Sequence, residues 1–146
     1  MSTTRRRFLE LAAGAGTLPF GAIACSSDSG GPQNVGDISA GTASSLSVGD
    51  LKSLGSQPAC IGRDASGIYA MTLTCTHQSC NIATQGSVSS TGISCSCHGS
   101  RFDVQGNVTN GPATVALAHL SVTQDASGNL TIHTGTVVAE TVRLKV

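Results

Sequence analysis

Two short segments decide what this chain can become. Cys75-Thr-His-Gln-Ser-Cys80 and Cys95-Ser-Cys-His-Gly-Ser100 together hold four cysteines and two histidines. Each arm pairs a cysteine with a histidine, as Cys75-x-His77 and Cys95-x-x-His98, so a fold that uses them together must bring two loops to one point. Zinc is one candidate, since Cys and His in fours are its usual tetrahedral set. Structural zinc ligands, however, come mostly as pairs of like residues at wider spacing. Mixed arms fit a dinuclear centre better, with two thiolates on one iron, two imidazoles on the other, and each arm supplying one ligand to each. Ordinary disulfides among unrelated cysteines would leave both histidines at ligand spacing by accident.

The surrounding chain reads as short strands punctuated by turns. Ala59 to Arg63 and Ile68 to Thr74 flank Asp64-Ala-Ser-Gly67, and Val115 to Thr123 and Asn129 to His133 flank Asp125-Ala-Ser-Gly128. Asp accepts hydrogen bonds from turn amides and Gly takes positive φ at no steric cost, so the same tetrapeptide predicts two hairpins. Thr136 to Val146 alternates in part and is expected to add a strand; Val48 to Leu54 is expected to hold a turn of helix. The fold class predicted is all-β, a small antiparallel sandwich or barrel with two cluster-binding loops.

Charged residues make up 11% and aromatics 3% of the chain, which leaves no basic patch for nucleic acid. Removing Arg5, Arg6, Arg7 and Glu10 from eight basic and eight acidic residues leaves five and seven, so the remainder is mildly acidic. Those four belong to a leader: Thr4-Arg-Arg-Arg-Phe-Leu-Glu10, then an apolar run from Leu11 to Ala24 broken by Gly14, Gly16, Pro19 and Gly21. The run is short of the ~20 apolar residues of an ordinary membrane span. Arg5, Arg6, Phe8 and Leu9 resemble the twin-arginine export signal. Ala22-Ile-Ala-Cys25 resembles a bacterial lipobox with Cys25 as the lipidated residue, and would also serve as a small-x-small cleavage site. Residues 1–25 are thus read as a signal, 26–45 as a flexible linker rich in Ser, Gly and Asp, and 46–146 as the folded domain.

The two Cys/His segments resemble the boxes of Rieske iron-sulfur proteins, C-T-H-x-G-C and C-P-C-H-G-S, over a stretch from about Ala59 to His133. The resemblance implies a 2Fe-2S cluster with Cys75 and Cys95 on one iron, His77 and His98 on the other, and a disulfide between Cys80 and Cys97. Gly111-Pro-Ala113 resembles the proline loop that covers the cluster. Three residues depart from the pattern. Ser79 replaces a glycine of the first box and Ser96 the proline of the second, while Phe102 stands where high-potential members place a tyrosine hydroxyl. Ser100 keeps the other hydroxyl, which in the family bonds a bridging sulfide. With one donor fewer, the potential is expected above that of all-cysteine ferredoxins and below the top of the ~ −150 to +300 mV Rieske range. His119 and His133 lack a cysteine at ligand spacing and are read as strand residues, and Cys60 as a small buried thiol.

Such a resemblance implies one-electron transfer outside the cytoplasm. It points to the periplasmic side of a bacterial membrane, with attachment by a lipid on Cys25 or by a partner complex. The comparable proteins are the iron-sulfur subunit of quinol-cytochrome c reductase and the small Rieske subunit of arsenite oxidase. A cytochrome or oxidoreductase subunit is the implied partner, and a quinol is one donor suited to such a centre. The mononuclear iron domain of Rieske oxygenases finds no counterpart in the length or the remaining histidines. The competing reading is a non-redox module on a lipoprotein tether, stabilised by zinc or by disulfides.

Overall fold

A computed structural model describes residues 31–146. Its strands are β1 (Asp37–Thr42), β2 (Leu51–Ser53), β3 (Ala59–Asp64), β4 (Gly67–Thr72), β5 (Gly86–Ser89), β6 (Gly92–Cys95), β7 (Arg101–Phe102), β8 (Val108–Asn110), β9 (His119–Gln124) and β10 (Asn129–Val138). One short helix, α1 (Ile82–Gln85), follows the first Cys/His box, and a 3-10 turn covers Ala43–Ser45. The strands form a six-stranded sheet in the order β1-β10-β9-β4-β3-β2 and a four-stranded sheet in the order β5-β6-β7-β8. Every pairing is antiparallel. The all-β reading of the sequence holds.

Both Asp-Ala-Ser-Gly turns close hairpins as expected. Asp64 Oδ1 accepts the amides of Ser66 (2.7 Å) and Gly67 (3.1 Å). Asp125 Oδ1 accepts those of Ser127 (2.8 Å) and Asn129 (2.9 Å). Gly67 and Gly128 sit at φ 140 and 86, where a Cβ would be strained.

Side-chain alternation along β3 and β4 divides the interior in two. Ala59 and Ile61 point with Ile68 and Ala70 into a core completed by Ile38, Leu120, Leu130 and Ile132. Cys60, Tyr69 and Met71, one residue out of phase, point into a second core with Leu73, Ile82, Ile93, Phe102 and Leu117. Covered on both faces, the two strands read as near-continuous apolar runs. The second core includes Cys75 and Cys95, so the Cys/His loops grow directly from packed structure. Each fully buried Ile, Met or Phe there contributes roughly 1.5–3 kcal/mol.

A clamp from the last residues joins the two sheets. The Arg143 guanidinium lies 4.5 Å over the Tyr69 ring, its Nε donates to Asp64 Oδ2 (2.7 Å) and its Nη2 to Gln105 Oε1 (2.5 Å). The Tyr69 hydroxyl donates to the Val104 carbonyl at 2.8 Å. The β7–β8 turn is thereby held against the β3–β4 hairpin. Burial alone would raise the Asp64 carboxyl, but Arg143 and the turn amides outweigh it and hold the group below its ordinary range.

Three expectations are corrected. The stretch given to the linker, 26–45, includes β1, which pairs with β10 through Ile38↔Ile132 and buries Ile38 and Ala40 on alternate positions. Two apolar residues at period two sufficed for a strand inside a Ser/Gly-rich segment. Val48 to Leu54 holds no helix; Leu51–Ser53 is β2, with Leu51 buried opposite Gly62. Thr136 to Val146 is no separate strand: Val137 and Val138 extend β10 past a register shift, and Leu144 bridges Ile68. Arg5, Arg6, the apolar run and Cys25 lie outside the described residues.

Candidate metal centre

Both boxes fold into the same closed loop. In the first, the Cys75 amide donates to the Cys80 carbonyl (2.8 Å) and the Ser79 amide to the Cys75 carbonyl (2.8 Å). In the second, the Cys95 amide donates to the Ser100 carbonyl (2.8 Å) and the Gly99 amide to the Cys95 carbonyl (3.1 Å). The fifth residue of each loop takes left-handed backbone, Gly99 at φ 85 and Ser79 at φ 53. Glycine does so freely, whereas an L-residue with a Cβ is strained there by roughly 1–3 kcal/mol. After allowing for the entropy of an added glycine, Ser79→Gly is expected to stabilise the domain by about 1 kcal/mol and raise its melting temperature by about 4 °C. Thermal unfolding followed by circular dichroism checks this; an unchanged or lower midpoint would show that the loop stores no strain at Ser79.

The loops meet because the segment between them is short and anchored. Asn81 Oδ1 accepts the Ala83 amide (3.0 Å) and caps α1, while Ile82, fully buried, fixes the helix to the core. The Gln85 carbonyl then receives the Ser96 amide at 2.8 Å, which brings α1 against the second loop. Cys80 and Cys97 join the loops covalently, with Cα atoms 6.7 Å apart.

A third loop closes the site. It contains Gly111-Pro112-Ala113, with a cis peptide before the proline. Thr76 Oγ1 donates to the Val115 carbonyl (2.6 Å), and Asn110 Nδ2 donates to the carbonyls of Gly99 (3.1 Å) and Gly111 (2.8 Å). The Ala113 amide donates to Ser100 Oγ at 3.0 Å. Ser100 is fully buried, and because its oxygen accepts this bond its own proton is free to be given. Thr76 and Asn110 were not singled out from the sequence. Thr76 stands inside the first box, where it could have been noticed; nothing local marks Asn110.

The potential ligands are sorted by depth. Cys75 and Cys95 are free thiols, each 1% exposed. Burial, with the Cys75 thiol alongside, pushes the Cys95 thiol up. His77 is half-buried and His98 exposed, their rings edge to face with centroids 4.8 Å apart. His77 Nδ1 is buried and meets no hydrogen-bond partner; the same holds for His119 Nδ1 in β9, but only the His77 ring lies against a second imidazole in the Cys/His loops. An unpaired buried nitrogen costs about 1–3 kcal/mol unless something takes its lone pair. The sulfurs of Cys80, Cys95 and Cys97 also lie within 4.8 Å of one another, but two of these are spent on the disulfide and offer no thiolate.

The other candidates lie elsewhere. His119 gives Nε2 to the Gln105 carbonyl (2.9 Å) and stacks on Tyr69; His133 sits between Thr123 Oγ1 and Asp37, each 2.9 Å away. Both are strand residues, as the sequence suggested. Cys60 is buried, forms no disulfide with a described cysteine, and has its thiol pushed up to about 12 by burial. Phe102, 2% exposed, lies in an apolar cross-strand row with Val88, Ile93 and Val108. Two buried thiols, an orphaned imidazole nitrogen and a neighbouring exposed imidazole are a donor set that fits a mixed Cys/His cluster.

Comparison with known proteins agrees with that chemistry. The model of the Rieske [2Fe-2S] domain family matches residues 35–122. The chain belongs to this family, and its prosthetic group is a Rieske-type [2Fe-2S] cluster. It is 42% identical over 64 residues to the cytochrome b6-f complex iron-sulfur subunit of Synechococcus elongatus, across 42% of this chain and 35% of that subunit. To the corresponding subunit of Synechococcus sp. WH7803 it is 39% identical over 66 residues, across 44% of this chain and 36% of the relative. The matched part is thus about a third of the relatives' own length. Among solved structures, the plasma membrane Rieske protein PetC3 from Synechocystis PCC 6803 aligns at TM-score 0.48 and 23% identity, over 70% of this chain and 99% of that one.

Proposed function

We propose that this domain passes single electrons outside the cytoplasm, with Cys75 and Cys95 holding one iron and His77 and His98 the other. The observation that carries the assignment is the pairing of two buried free thiols with a buried imidazole nitrogen that has no protein partner. When bound, a Rieske cluster supplies a one-electron couple within ~ −150 to +300 mV. The chain's own residues do the rest. The thiols sit in a dry core that excludes solvent, while the exposed His98 ring offers the route to a partner. Ser100 has a proton to donate toward the centre; Phe102 has none.

The similarity to cytochrome b6-f iron-sulfur subunits supports a place beside a membrane redox complex, with a cytochrome or oxidoreductase subunit as partner and a quinol as a fitting donor. Export rests on Arg5, Arg6, Phe8 and Leu9, and membrane attachment on lipidation of Cys25. Among the described residues no helix is long and apolar enough to cross a membrane. Metal analysis with EPR of the dithionite-reduced protein tests the reading. Two irons per chain and a mixed-ligand signal support it; zinc without iron would overturn it in favour of a structural binding module.

Phe102→Tyr gives the tuning argument its own measurement. A hydroxyl donating to a cluster thiolate stabilises the more negative reduced state, and one such charge-assisted bond is worth about 1.5 kcal/mol. The midpoint potential is therefore expected to rise by about 60 mV in protein-film voltammetry. No change, or a fall, would show that the position does not face the cluster sulfur.

A further inference from the structure

Charge is distributed very unevenly in this domain. Between Asp64 and Asp125 the sequence carries only two charged side chains, Arg101 and Asp103. That interval contains both boxes, the proline loop and the whole four-stranded sheet. Asp103 is consumed internally: its Oδ1 accepts the amides of Gln105 (2.8 Å) and Asn107 (2.9 Å), and its Oδ2 accepts Asn107 Nδ2 (3.1 Å). Arg101 is exposed and, among the described residues, enters none of the hydrogen bonds or ion pairs that occupy Arg63 and Arg143. The other charges lie outside this interval.

Arg101 also sits in a prepared place. It pairs across the sheet with Ser94 on one side and Asn110 on the other, and directly follows Ser100, the buried end of the second box. Arg101 lines a shallow depression of about 310 Å³ whose other polar walls are Ser87, Ser89, Thr91, Ser94 and Thr109. Ser87 Oγ and Ser94 Oγ are 2.8 Å apart, so one donates to the other and the second keeps a proton to give. A planar fork of N–H donors beside hydroxyl donors, with no carboxylate of the described residues within ion-pair distance, matches a carboxylate. From this we infer that Arg101 is the electrostatic anchor by which a carboxylate-bearing protein partner docks beside the cluster, in a stretch whose one other charge, Asp103, is turned to its own loop amides. The inference rests on the electron-transfer reading and names the chemistry of the partner.

Reduced protein is mixed in stopped flow with cytochrome c before and after succinylation of its lysines, which turns each ammonium into a carboxylate. One electron leaves the cluster and one ferric haem becomes ferrous in either case. At low salt the succinylated acceptor is expected to react about threefold to tenfold faster with wild type than with Arg101→Gln, and this difference is expected to vanish at 0.5 M salt, where the local attraction is screened. The same variant should leave the EPR spectrum and midpoint potential unchanged, which separates docking from damage to the cluster. Ferricyanide, reduced to ferrocyanide, serves as the small-anion probe. An Arg101-dependent rate difference with ferricyanide but not with the succinylated protein would make this a small-anion site and overturn the proposal, as would a difference that persists at 0.5 M salt or an Arg101→Gln protein that behaves like wild type. A protein that dithionite cannot reduce at all would instead sink the electron-transfer reading itself.

Discussion

Cys95→Ser protein is expected to purify with less than about a tenth of the wild-type iron and without the reduced-state EPR signal, while remaining folded by circular dichroism. The thiolate is the ligand form of cysteine, and a serine hydroxyl of nearly the same size does not ionise at neutral pH. Changing only the hydrogen-bond partners of a ligand typically costs 10–100-fold in metal affinity, so loss of a direct ligand should exceed that. The fold should survive, because Cys95 is one small member of a core whose volume comes from Met71, Leu73, Ile82, Ile93 and Phe102. His77→Asn is expected to behave alike. The controls are His119→Gln, whose ring bonds the Gln105 carbonyl through Nε2, and His133→Gln, whose two nitrogens bond Thr123 and Asp37. Full iron in Cys95→Ser, or iron lost equally from His119→Gln, would refute the ligand assignment. Because iron content is read directly, the result does not depend on knowing a redox partner.

The range of each interaction decides how much of the fold and the site is legible in the sequence. The Asp-Ala-Ser-Gly hairpins could be read because the turn is solved within four residues, by one carboxylate and one glycine. The boxes could be read because ligand chemistry fixes residue type and spacing together. β1 could not: its pairing is with β10 at the far end of the chain, and only Ile38 and Ala40 betray it among polar neighbours. The four-stranded sheet was also hidden. Its strands are two to four residues long and rich in Ser and Gly, and they become a sheet only once β6 and β7 are brought together across the second loop. Pairing of Cys80 with Cys97 came from resemblance, since spacing leaves several connectivities open. Left-handed backbone at Ser79 was invisible in the sequence, although the glycine of the family pattern at that position now has a physical reason: both loops close through the amide of their fifth residue.

Removing the disulfide should produce the second large effect. Cys80 and Cys97 are 17 residues apart, and a cross-link closing a loop of that size restricts the unfolded chain by about 3 kcal/mol. Cys80→Ala/Cys97→Ala is therefore expected to lower the melting temperature by about 10 °C. Visible absorbance of the cluster should be lost before the far-UV signal, because the six-stranded sheet has its own core of Ile61, Ile68, Leu130 and Ile132 and does not need the loops. The loops will not fall apart completely at ambient temperature, since the Ser96 amide still bonds the Gln85 carbonyl. A more discriminating comparison is with Cys80→Ala alone. That change frees the Cys97 sulfur within 4.8 Å of Cys95, close enough for the released thiol to compete for iron or to pair oxidatively with a ligand. The single variant, although it deletes fewer atoms, is expected to hold less iron than the double. If the double variant melts within about 1 °C of wild type, the bond is not a constraint on the unfolded chain. If single and double variants carry equal iron, the bond has no role in keeping spare thiols away from Cys95, and its contribution reduces to the mechanical joining of the two loops.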